Sequence, residues 1–189
     1  MTTTTGRAIE RFRVAAAAEG LLDVAYASAD SPFGTLLLAQ TPRGLVRVGL
    51  PNQDYEALLE ELAAKVSPRV LEAPAQLDRA RRELDGYFAG ELREFDLPVD
   101  WTLSHGFRQR VLRGIAAIPY GETRSYTEMA AGAGNPRAVR AAGSACGSNP
   151  VPLVVPCHRV LRLGGGLGGY AGGLAMKESL LALEAEGGD

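Results

Sequence analysis

The sequence predicts a mixed α/β (α+β) protein, with an N-terminal small β-sheet with helices and a C-terminal helix-turn-helix domain. Short apolar runs separated by turn residues fill positions 23–50, the pattern of a meander of strands. Leucines then recur at helical spacing over 53–66, with acidic residues on the other face. Further along, short helices are predicted over 126–131 and 136–146, and the Gly-containing turn between them completes a helix-turn-helix pattern.

The N-terminal half contains strand and helix signals but no residues with obvious chemistry. The elements predicted in it are strands over 23–29, 35–40 and 45–50, helices over 53–66 and from Leu77 to Phe88, and a return to the sheet over 95–99. No repeat or low-complexity block accompanies them. We therefore expect this half to be a scaffold for the rest of the chain.

The chain has 189 residues, of which 46% are hydrophobic and 22% charged, an ordinary globular composition. No run approaches the roughly 20 apolar residues of a membrane helix, and the start does not have the pattern of a signal peptide. We therefore predict a cytoplasmic protein with no membrane partner. Its predicted parts are a tail over 1–20 that leads into a short helix, a scaffold domain over 21–100 and a C-terminal domain over 101–189.

Charge is distributed unevenly along the chain. Residues 101–170 contain eight Arg and two acidic residues, a net charge of +6, and the total of −2 leaves −8 for the remainder. A surface that faces an anion such as nucleic acid would produce this asymmetry, and so would solvated helix faces. Charge by itself leaves both explanations open.

The chain has two cysteines, Cys146 and Cys157, and two histidines, His105 and His158. Residues of these types, dispersed in this way, do not form a zinc-binding pattern, and we expect neither a metal nor another cofactor. A disulfide between the cysteines is compatible with their spacing, but a cytosolic chain would keep them reduced.

Residues 156–159, Pro-Cys-His-Arg, place a thiol beside an imidazole, after an apolar run that predicts a buried strand over 151–155. A thiol becomes a strong nucleophile when it loses its proton, and an imidazole is a common acceptor of that proton. Neighbouring side chains of a strand point to opposite faces, so the pair can meet only where the backbone bends. From these residues alone, a buried structural Cys beside an incidental His stays an open alternative.

The segments around this motif consist mostly of small residues. In the helix predicted over 136–146, Arg137 and Arg140 are the only large side chains, so the helix can approach another surface closely. Seven of the ten residues over 164–173 are Gly, which suits either close approach to a flat ligand or a flexible loop. A helix over 176–184 closes the chain, and Glu184 near its end can fold back onto His158.

Several motifs lie in order within residues 104–184. They are Ile118–Thr123, Ser125-Tyr126, Gly134-Asn135-Pro136 with Arg140, Asn149–Pro152, Pro156–Val160, and Gly172–Leu174 with Lys177-Glu178. In this order and spacing they resemble the O6-alkylguanine-DNA alkyltransferases, also called methylated-DNA–protein-cysteine methyltransferases. The turn over 31–34 and residues 87–90 look like that family's variable N-terminal domain. The resemblance implies a ribonuclease-H-like scaffold over 21–100 and a winged-helix-like alkyltransferase domain over 101–189.

The resemblance implies a catalytic role for five residues. It makes Cys157 the nucleophile and His158 the group that takes its proton through a bound water. Glu184 would orient and polarise His158, as in the triads of hydrolases. Asn149 would hold the turn that links the recognition helix to the active site. Tyr126 would assist rotation of the nucleotide and donate a proton to the guanine as it leaves.

The same resemblance implies the residues that bind DNA and the flipped base. Arg140 would enter the duplex and occupy the space of the extruded base, and Arg137 would also bind DNA. The carbonyls of the nucleophile and of Val160, with the amide of Ala171, would read the base, and Tyr170 would form a wall of its pocket. The family usually has Ser or a small residue at position 171, so any hydroxyl contact is lost here.

The function that the resemblance implies is DNA repair by direct damage reversal on double-stranded DNA containing alkylated guanine. The base is flipped out of the stack, and its O6-alkyl group passes irreversibly to Cys157, so each molecule reacts once. O4-alkylthymine is a second candidate substrate. No cofactor is implied, and we expect a monomer without an obligate protein partner.

Other functions fit these residues less well. A non-catalytic lesion binder of this fold would lack the nucleophile, which is present as Cys157, and it is the alternative that we retain. A winged-helix regulator would need polar base-reading side chains, of which the helix over 136–146 has too few. Papain-like hydrolases separate Cys from His in sequence, a phosphatase loop would place Arg where Leu163 stands, and a dithiol oxidoreductase needs C-x-x-C.

Overall fold

The computed structural model describes residues 22–186, and the tail predicted over 1–20 lies outside them. The N-terminal sheet contains β1 (Val24–Ala29), β2 (Leu36–Thr41), β3 (Gly44–Gly49) and β4 (Val70–Glu72). The strand order is β3-β2-β1-β4, with antiparallel pairing among the first three strands of the chain and β4 parallel to β1. The strands predicted over 23–50 are confirmed, whereas β4 was missed because a three-residue strand gives no apolar pattern.

Helices α1 (Tyr55–Lys65) and α2 (Asp78–Phe88) pack on opposite faces of this sheet, and both helices were predicted. From α1, Leu62 is buried with Val46 and the other apolar residues of one face. From α2, Leu84 and Tyr87 are buried with residues of the other face. Side chains alternate across a strand, so β2 and β3 contribute apolar residues to both clusters. Tyr87 thereby enters the core that also surrounds the Cys-His motif.

The prediction that residues 95–99 return to the sheet holds only at the end of the segment. Within the described residues this segment makes one isolated parallel bridge, between Leu45 and Val99, and no strand. Leu45 donates its backbone N–H to the carbonyl of Pro98 at 2.7 Å, and the N–H of Asp100 donates to the carbonyl of Leu45 at 2.9 Å. Pro98 has no N–H to donate, so it cannot extend the ladder.

The C-terminal half contains α3 (Gly106–Ala116), α4 (Tyr126–Gly132), α5 (Val139–Gly147) and α6 (Leu174–Glu186), with a two-stranded parallel sheet of β5 (Arg124–Ser125) and β6 (Val160–Leu161). A capping box is present at the start of α4. Ser125 Oγ accepts the N–H of Glu128, whose carboxylate accepts the N–H of Ser125 at 2.7 Å. The helix pair of the predicted helix-turn-helix, α4 and α5, is confirmed.

The predicted start of α5 at Pro136 is wrong, because the helix begins at Val139. Residues 135–138 form a turn in which the carbonyl of Asn135 accepts the N–H of Ala138 at 3.0 Å. The side chain of Asn135 also accepts the N–H of Arg137 at 3.3 Å. An Asn that bonds its own backbone in this way competes with helix formation, so the turn lasts longer than Pro136 suggested.

The strand predicted over 151–155 is also wrong, although most of this run is buried. It forms a turn in which the N–H of Val155 reaches the carbonyl of Val151 at 2.9 Å. Leu153 has φ 74°, a left-handed conformation that no strand contains and that costs a non-Gly residue about 1 kcal/mol or more. An apolar run shows burial but not backbone shape, so the sequence pattern could not distinguish the two.

A single hydrophobic cluster joins the two halves of the described chain. It extends from Leu38 of the sheet through Tyr87 of α2 and Leu112 of α3 to Leu180 of α6. The backbone also crosses between the halves, since Val48 N–H donates to the carbonyl of Pro150 at 2.8 Å. Among the described residues, none of the helices has the length and apolar character needed to span a bilayer.

Candidate active site

The Cys-His motif lies in a 3₁₀ turn, Cys157–Arg159, between the 151–155 turn and β6. Cys157 and His158 are buried, with 3% and 0% of their surface exposed. The turn supplies the backbone bend that the adjacent Cys and His need if both are to act at one site. The N–H of Val160 closes this turn by donating to the carbonyl of Cys157.

Glu184 is the centre of a buried hydrogen-bond network around this turn. Its carboxylate lies 2.8 Å from His158 Nε2 and accepts the Tyr87 hydroxyl at 2.7 Å. The guanidinium of Arg159 donates to both of its oxygens, at 2.8 and 2.9 Å. Burial by itself would raise the pKa of Glu184, but the hydrogen bonds from His158 and Arg159 outweigh it and lower that pKa to about 2. Glu184 is therefore ionised at neutral pH.

The partner of His158 fixes its tautomer. An ionised carboxylate only accepts hydrogen bonds, so Nε2 carries the proton that is donated to Glu184, and Nδ1 keeps its lone pair. Nδ1 is buried and has no hydrogen-bond partner among the described residues. Burial lowers the pKa of His158 despite the contact with Glu184, so the ring is neutral at pH 7. A neutral imidazole with a free Nδ1 can accept a proton.

Cys157 is held as a thiol. Burial raises its pKa, and this effect outweighs the hydrogen bond from Asn149 and the charge of Lys177, which both lower it. A thiolate therefore forms only when a base removes the proton at the moment of reaction. His158, the next residue and a neutral imidazole, is the candidate for that base.

Asn149 connects the end of α5 to the Cys-His turn. Its side-chain Nδ2 donates to the carbonyl of Val155 at 2.7 Å, and its Oδ1 accepts the N–H of Val151 at 3.1 Å. These two bonds hold the 151–155 turn closed, immediately before Cys157. Asn149 thus makes a pair of side-chain to backbone hydrogen bonds with the segment that leads into the Cys-His turn.

Lys177 supports the same region from α6. Its ammonium is fully buried and donates to the carbonyl of Val160 at 2.6 Å and to that of Leu167. The two carbonyls expected to read a base, those of Cys157 and Val160, therefore each have one intramolecular partner already. A carbonyl oxygen accepts two hydrogen bonds, so each retains one free position.

A cavity of about 470 Å³ lies near this turn, and two of its lining residues, Tyr126 and Tyr170, interact electrostatically with Cys157. It is lined by residues of α4, α5 and the glycine-dense segment, which are Tyr126, Val139, Arg140, Gly143, Gly147, Arg162, Gly168, Gly169 and Tyr170. Arg137 is exposed and does not line it. The cavity thus brings Tyr126, Arg140 and Tyr170 together, whereas Cys157 and His158 are not among its lining residues.

The two tyrosines of the cavity are both in the phenol form. Burial, followed by the neighbouring thiols, raises the pKa of Tyr126, and burial raises that of Tyr170. The Tyr170 ring stands perpendicular to that of His158, with centroids 6.4 Å apart, and its hydroxyl has no partner among the described residues. Gly168, at φ +70°, leaves room for Tyr126, because an added Cβ would lie 2.7 Å from the Tyr126 hydroxyl.

Ala171 is tied to the N-terminal half. Its carbonyl accepts the side-chain amide of Asn52 at 2.8 Å, and the neighbouring Gly172 packs against Leu50 and Met176. The glycine-dense segment is thus not a free loop, since its last part is anchored to the scaffold. Among the described residues, the backbone N–H of Ala171 donates to no other backbone group, so it is free to bind a base.

Sequence reasoning missed four residues of this site: Tyr87, Arg159, Lys177 and Asn52. Arg159 and Lys177 are members of the motifs, but nothing in the sequence showed that their charges are buried. Tyr87 and Asn52 come from the scaffold half, 71 and 119 residues away from their partners along the chain. Only a folded chain reveals such pairings. In the described part of the chain, no cluster of His, Cys, Asp and Glu has the composition of a metal site.

Family comparisons divide the chain in the same place as the fold. Residues 106–186 match the family model described as "6-O-methylguanine DNA methyltransferase, DNA binding domain". Residues 24–101 match the one described as "6-O-methylguanine DNA methyltransferase, ribonuclease-like domain".

Two similar curated proteins carry the same name. A methylated-DNA–protein-cysteine methyltransferase of Mycolicibacterium paratuberculosis is 45% identical over 161 residues, which is 85% of this chain and 92% of the relative. The constitutive enzyme of that name in Bacillus subtilis is 37% identical and covers 84% of this chain and 94% of its own.

Solved structures agree with these relatives. Mycobacterium tuberculosis OGT in complex with DNA superposes with a TM-score of 0.74 at 39% identity, covering 86% of this chain and 94% of its own. The M. tuberculosis O6-methylguanine methyltransferase gives 0.75 at 40% identity, covering 88% and 95%.

Proposed function

Since the chain belongs to the 6-O-methylguanine DNA methyltransferase family, we propose that it repairs DNA by transferring the alkyl group of O6-alkylguanine to Cys157. The observation that carries this proposal is the buried thiol of Cys157 beside a neutral His158, whose tautomer is fixed by Glu184. This is the machinery of an activated nucleophile. The relatives are named for transfer from methylated DNA to a protein cysteine, which is the same reaction.

The transfer is a displacement at the alkyl carbon. The Cys157 proton passes to His158 Nδ1, through a water, and the sulfur forms a bond to the alkyl carbon as the bond from that carbon to O6 breaks. The electron pair of the broken bond remains with guanine, which is a poor leaving group until it receives a proton. The Tyr126 phenol supplies that proton, and the phenolate that remains takes up the proton held by His158, so that both groups end neutral. The product thioether has no route back, so each molecule reacts once.

DNA is the substrate that the cavity suits. The reacting atom of a base lies inside the duplex, so the nucleotide has to leave the stack, which costs a few kcal/mol. The small residues of α5 permit close approach to the minor groove, and Arg140, exposed at the rim of the cavity, is placed to occupy the vacated space. The exposed Arg137 would contact the backbone. The free positions on the carbonyls of Cys157 and Val160 and the amide of Ala171 would read the base.

The oligomeric state, the cellular location and the domain division of the protein are also part of this proposal. We infer that the protein acts as a monomer in the cytoplasm, on duplex DNA, with no obligate protein partner. The division into a tail over 1–20, a scaffold over 21–100 and a catalytic domain over 101–189 stays a prediction, as does activity on O4-alkylthymine. A non-catalytic lesion sensor is the second candidate, and the presence of Cys157 argues against it.

The direct test is the intact mass of the protein after incubation with a duplex that carries one O6-methylguanine. We expect one added methyl group, mapped to Cys157, and no addition to a Cys157→Ala variant or after incubation with unmodified DNA. Cys146 in the same variant is an internal control, because burial raises its pKa to about 12. Tight lesion binding without a mass change would instead identify a sensor.

The position of Tyr126 can be tested through Gly168. Replacing Gly168 with Ala places a Cβ 2.7 Å from the Tyr126 hydroxyl, so the ring has to move. We expect the single-turnover transfer rate to fall about tenfold. Gly90→Ala is the matched control, because Gly90 also has a left-handed φ, +74°, but an added Cβ there meets nothing within 4 Å. Equal transfer rates in the two variants would show that displacing the Tyr126 ring does not slow alkyl transfer.

A further inference from the structure

The segment 162–166, which we call the rim loop, follows β6 and is folded back on itself. The N–H of Arg162 donates to the carbonyl of Gly166 at 2.7 Å, and the N–H of Gly165 donates to the carbonyl of Arg162 at 3.0 Å. Gly164 and Gly165 both have left-handed φ values, +89° and +88°. These bonds and conformations give the loop a defined shape and place Leu163 at its tip.

Leu163 is unusually open to solvent for an aliphatic side chain. It is 83% exposed, and the other large hydrophobic residue that stands out in the described chain is Leu174, at 50%. A single exposed leucine is ordinary on a protein surface and needs no explanation by itself. What sets Leu163 apart is its position, which the neighbouring residues define.

The first residue of the rim loop lines the cavity of the candidate site. Arg162 lines the cavity of about 470 Å³ together with Arg140 of α5 and Tyr126 of α4. Leu163 comes directly after Arg162, so an apolar tip adjoins a guanidinium on the basic rim. Arg140 and Arg162 are both exposed and both line the cavity, which makes its rim complementary to a polyanion.

We propose that the rim loop is a second DNA-contacting element, in which Leu163 packs against the bases next to the flipped nucleotide and Arg162 pairs with a phosphate. The inference rests on the proposed function, since it assumes a duplex bound over the cavity. Extruding a base exposes the faces of its neighbours, and proteins that open the minor groove often cover such faces with an apolar side chain. Leu163 would cover one exposed face while Arg140 occupies the vacated position.

Binding and transfer assays with Leu163→Ser test the apolar contact. We expect the affinity for a lesion duplex to fall about tenfold, because burial of one leucine side chain is lost. Transfer from the free base O6-benzylguanine, which needs no DNA, should be unchanged. Leu174→Ser is the matched control and should leave both measurements unchanged. An unchanged duplex affinity, or an equal loss with the free base, would overturn the proposal.

The salt dependence of DNA binding distinguishes the contribution of Arg162 from that of Leu163. Arg162→Gln removes one phosphate contact, so the slope of log K against log salt should become shallower by about 0.9. Leu163→Ser should leave that slope unchanged, because the contact it removes is uncharged. An unaltered slope in Arg162→Gln would contradict the phosphate contact.

Fluorescence locates the tip directly. The chain has one natural tryptophan, Trp101, so Leu163→Trp adds a reporter whose emission should be quenched when it stacks on bases in a lesion duplex. Leu174→Trp should show no quenching, and quenching in neither variant would overturn the proposal. The proposed function fails differently, since then the unaltered protein would transfer no alkyl group from either the duplex or the free base.

Discussion

Replacing Glu184 with Gln is expected to lower the free energy of unfolding by about 3 kcal/mol. The amide keeps the shape of the carboxylate but removes its charge. Arg159 would then remain 6% exposed, with its Nε and Nη2 no longer facing an anion. A buried charge that loses its partner is destabilising because it has been desolvated without compensation. The Tyr87 hydroxyl would keep an acceptor, so the loss comes mainly from Arg159.

Urea denaturation measures this loss, and Glu178→Gln is the matched control. Glu178 lies on the same helix, α6, but is exposed, so its replacement should change the free energy of unfolding by less than about 0.5 kcal/mol. Equal unfolding midpoints for Glu184→Gln and the unaltered protein would show that Arg159 does not depend on this carboxylate.

The lowered pKa of Glu184 also predicts how the free energy of unfolding changes with pH. The pKa of Glu184 is about 2 in the folded protein and 4.5 in its ordinary range, so the folded state binds the proton less well than the unfolded state. Its contribution, about 3 kcal/mol, is therefore fully present above pH 4.5 and is lost as the pH falls toward 2. In Glu184→Gln this part of the acid dependence should be absent. Stability that falls equally in both proteins over that range would contradict the assignment.

Replacing His158 with Gln is expected to slow alkyl transfer by about 100-fold to 10,000-fold. Burial raises the pKa of Cys157 above its ordinary value of 9.0, so without a base almost no thiolate forms at neutral pH. Glu184 would still be held by Arg159 and Tyr87, so the variant should fold. The loss therefore reports the missing proton acceptor rather than a collapsed site.

The pH profile distinguishes a base from a purely structural residue. With His158 present, the reactive form is the neutral thiol beside the neutral imidazole, and the rate should be flat near neutrality. It should decline only below pH 6.5, because burial lowers the pKa of His158 from that value. In His158→Gln, thiolate has to form by simple ionisation, so the rate should rise about tenfold per pH unit between pH 7 and 9.

Single-turnover transfer to the protein, followed by mass, gives these rates. His105→Gln is the control, because His105 is the other histidine of the chain and is exposed. It should keep the flat profile of the unaltered protein. A flat profile in His158→Gln as well would exclude His158 as the base and leave it a structural role.

The amino-acid sequence by itself determined the elements and the chemical groups. Strands β1 to β3 and helices α1, α2 and α4 to α6 follow from hydrophobic period and turn residues, which are local properties. The Cys-His motif and the resemblance around it named the nucleophile and its base. Where the local signal was ambiguous, as over 151–155, the apolar run showed burial but not the turn that Leu153 adopts.

Only the tertiary structure decided how those groups act. Arg159 and Lys177 looked like ordinary solvated charges in the sequence, yet both are buried, and each is held by partners that are distant along the chain. Tyr87, from the scaffold half, completes the network at Glu184. The pKa values of Cys157 and His158 are likewise set by burial and by neighbours that folding assembles. Desolvation and long-range pairing depend on the packed chain, so no local pattern can specify them.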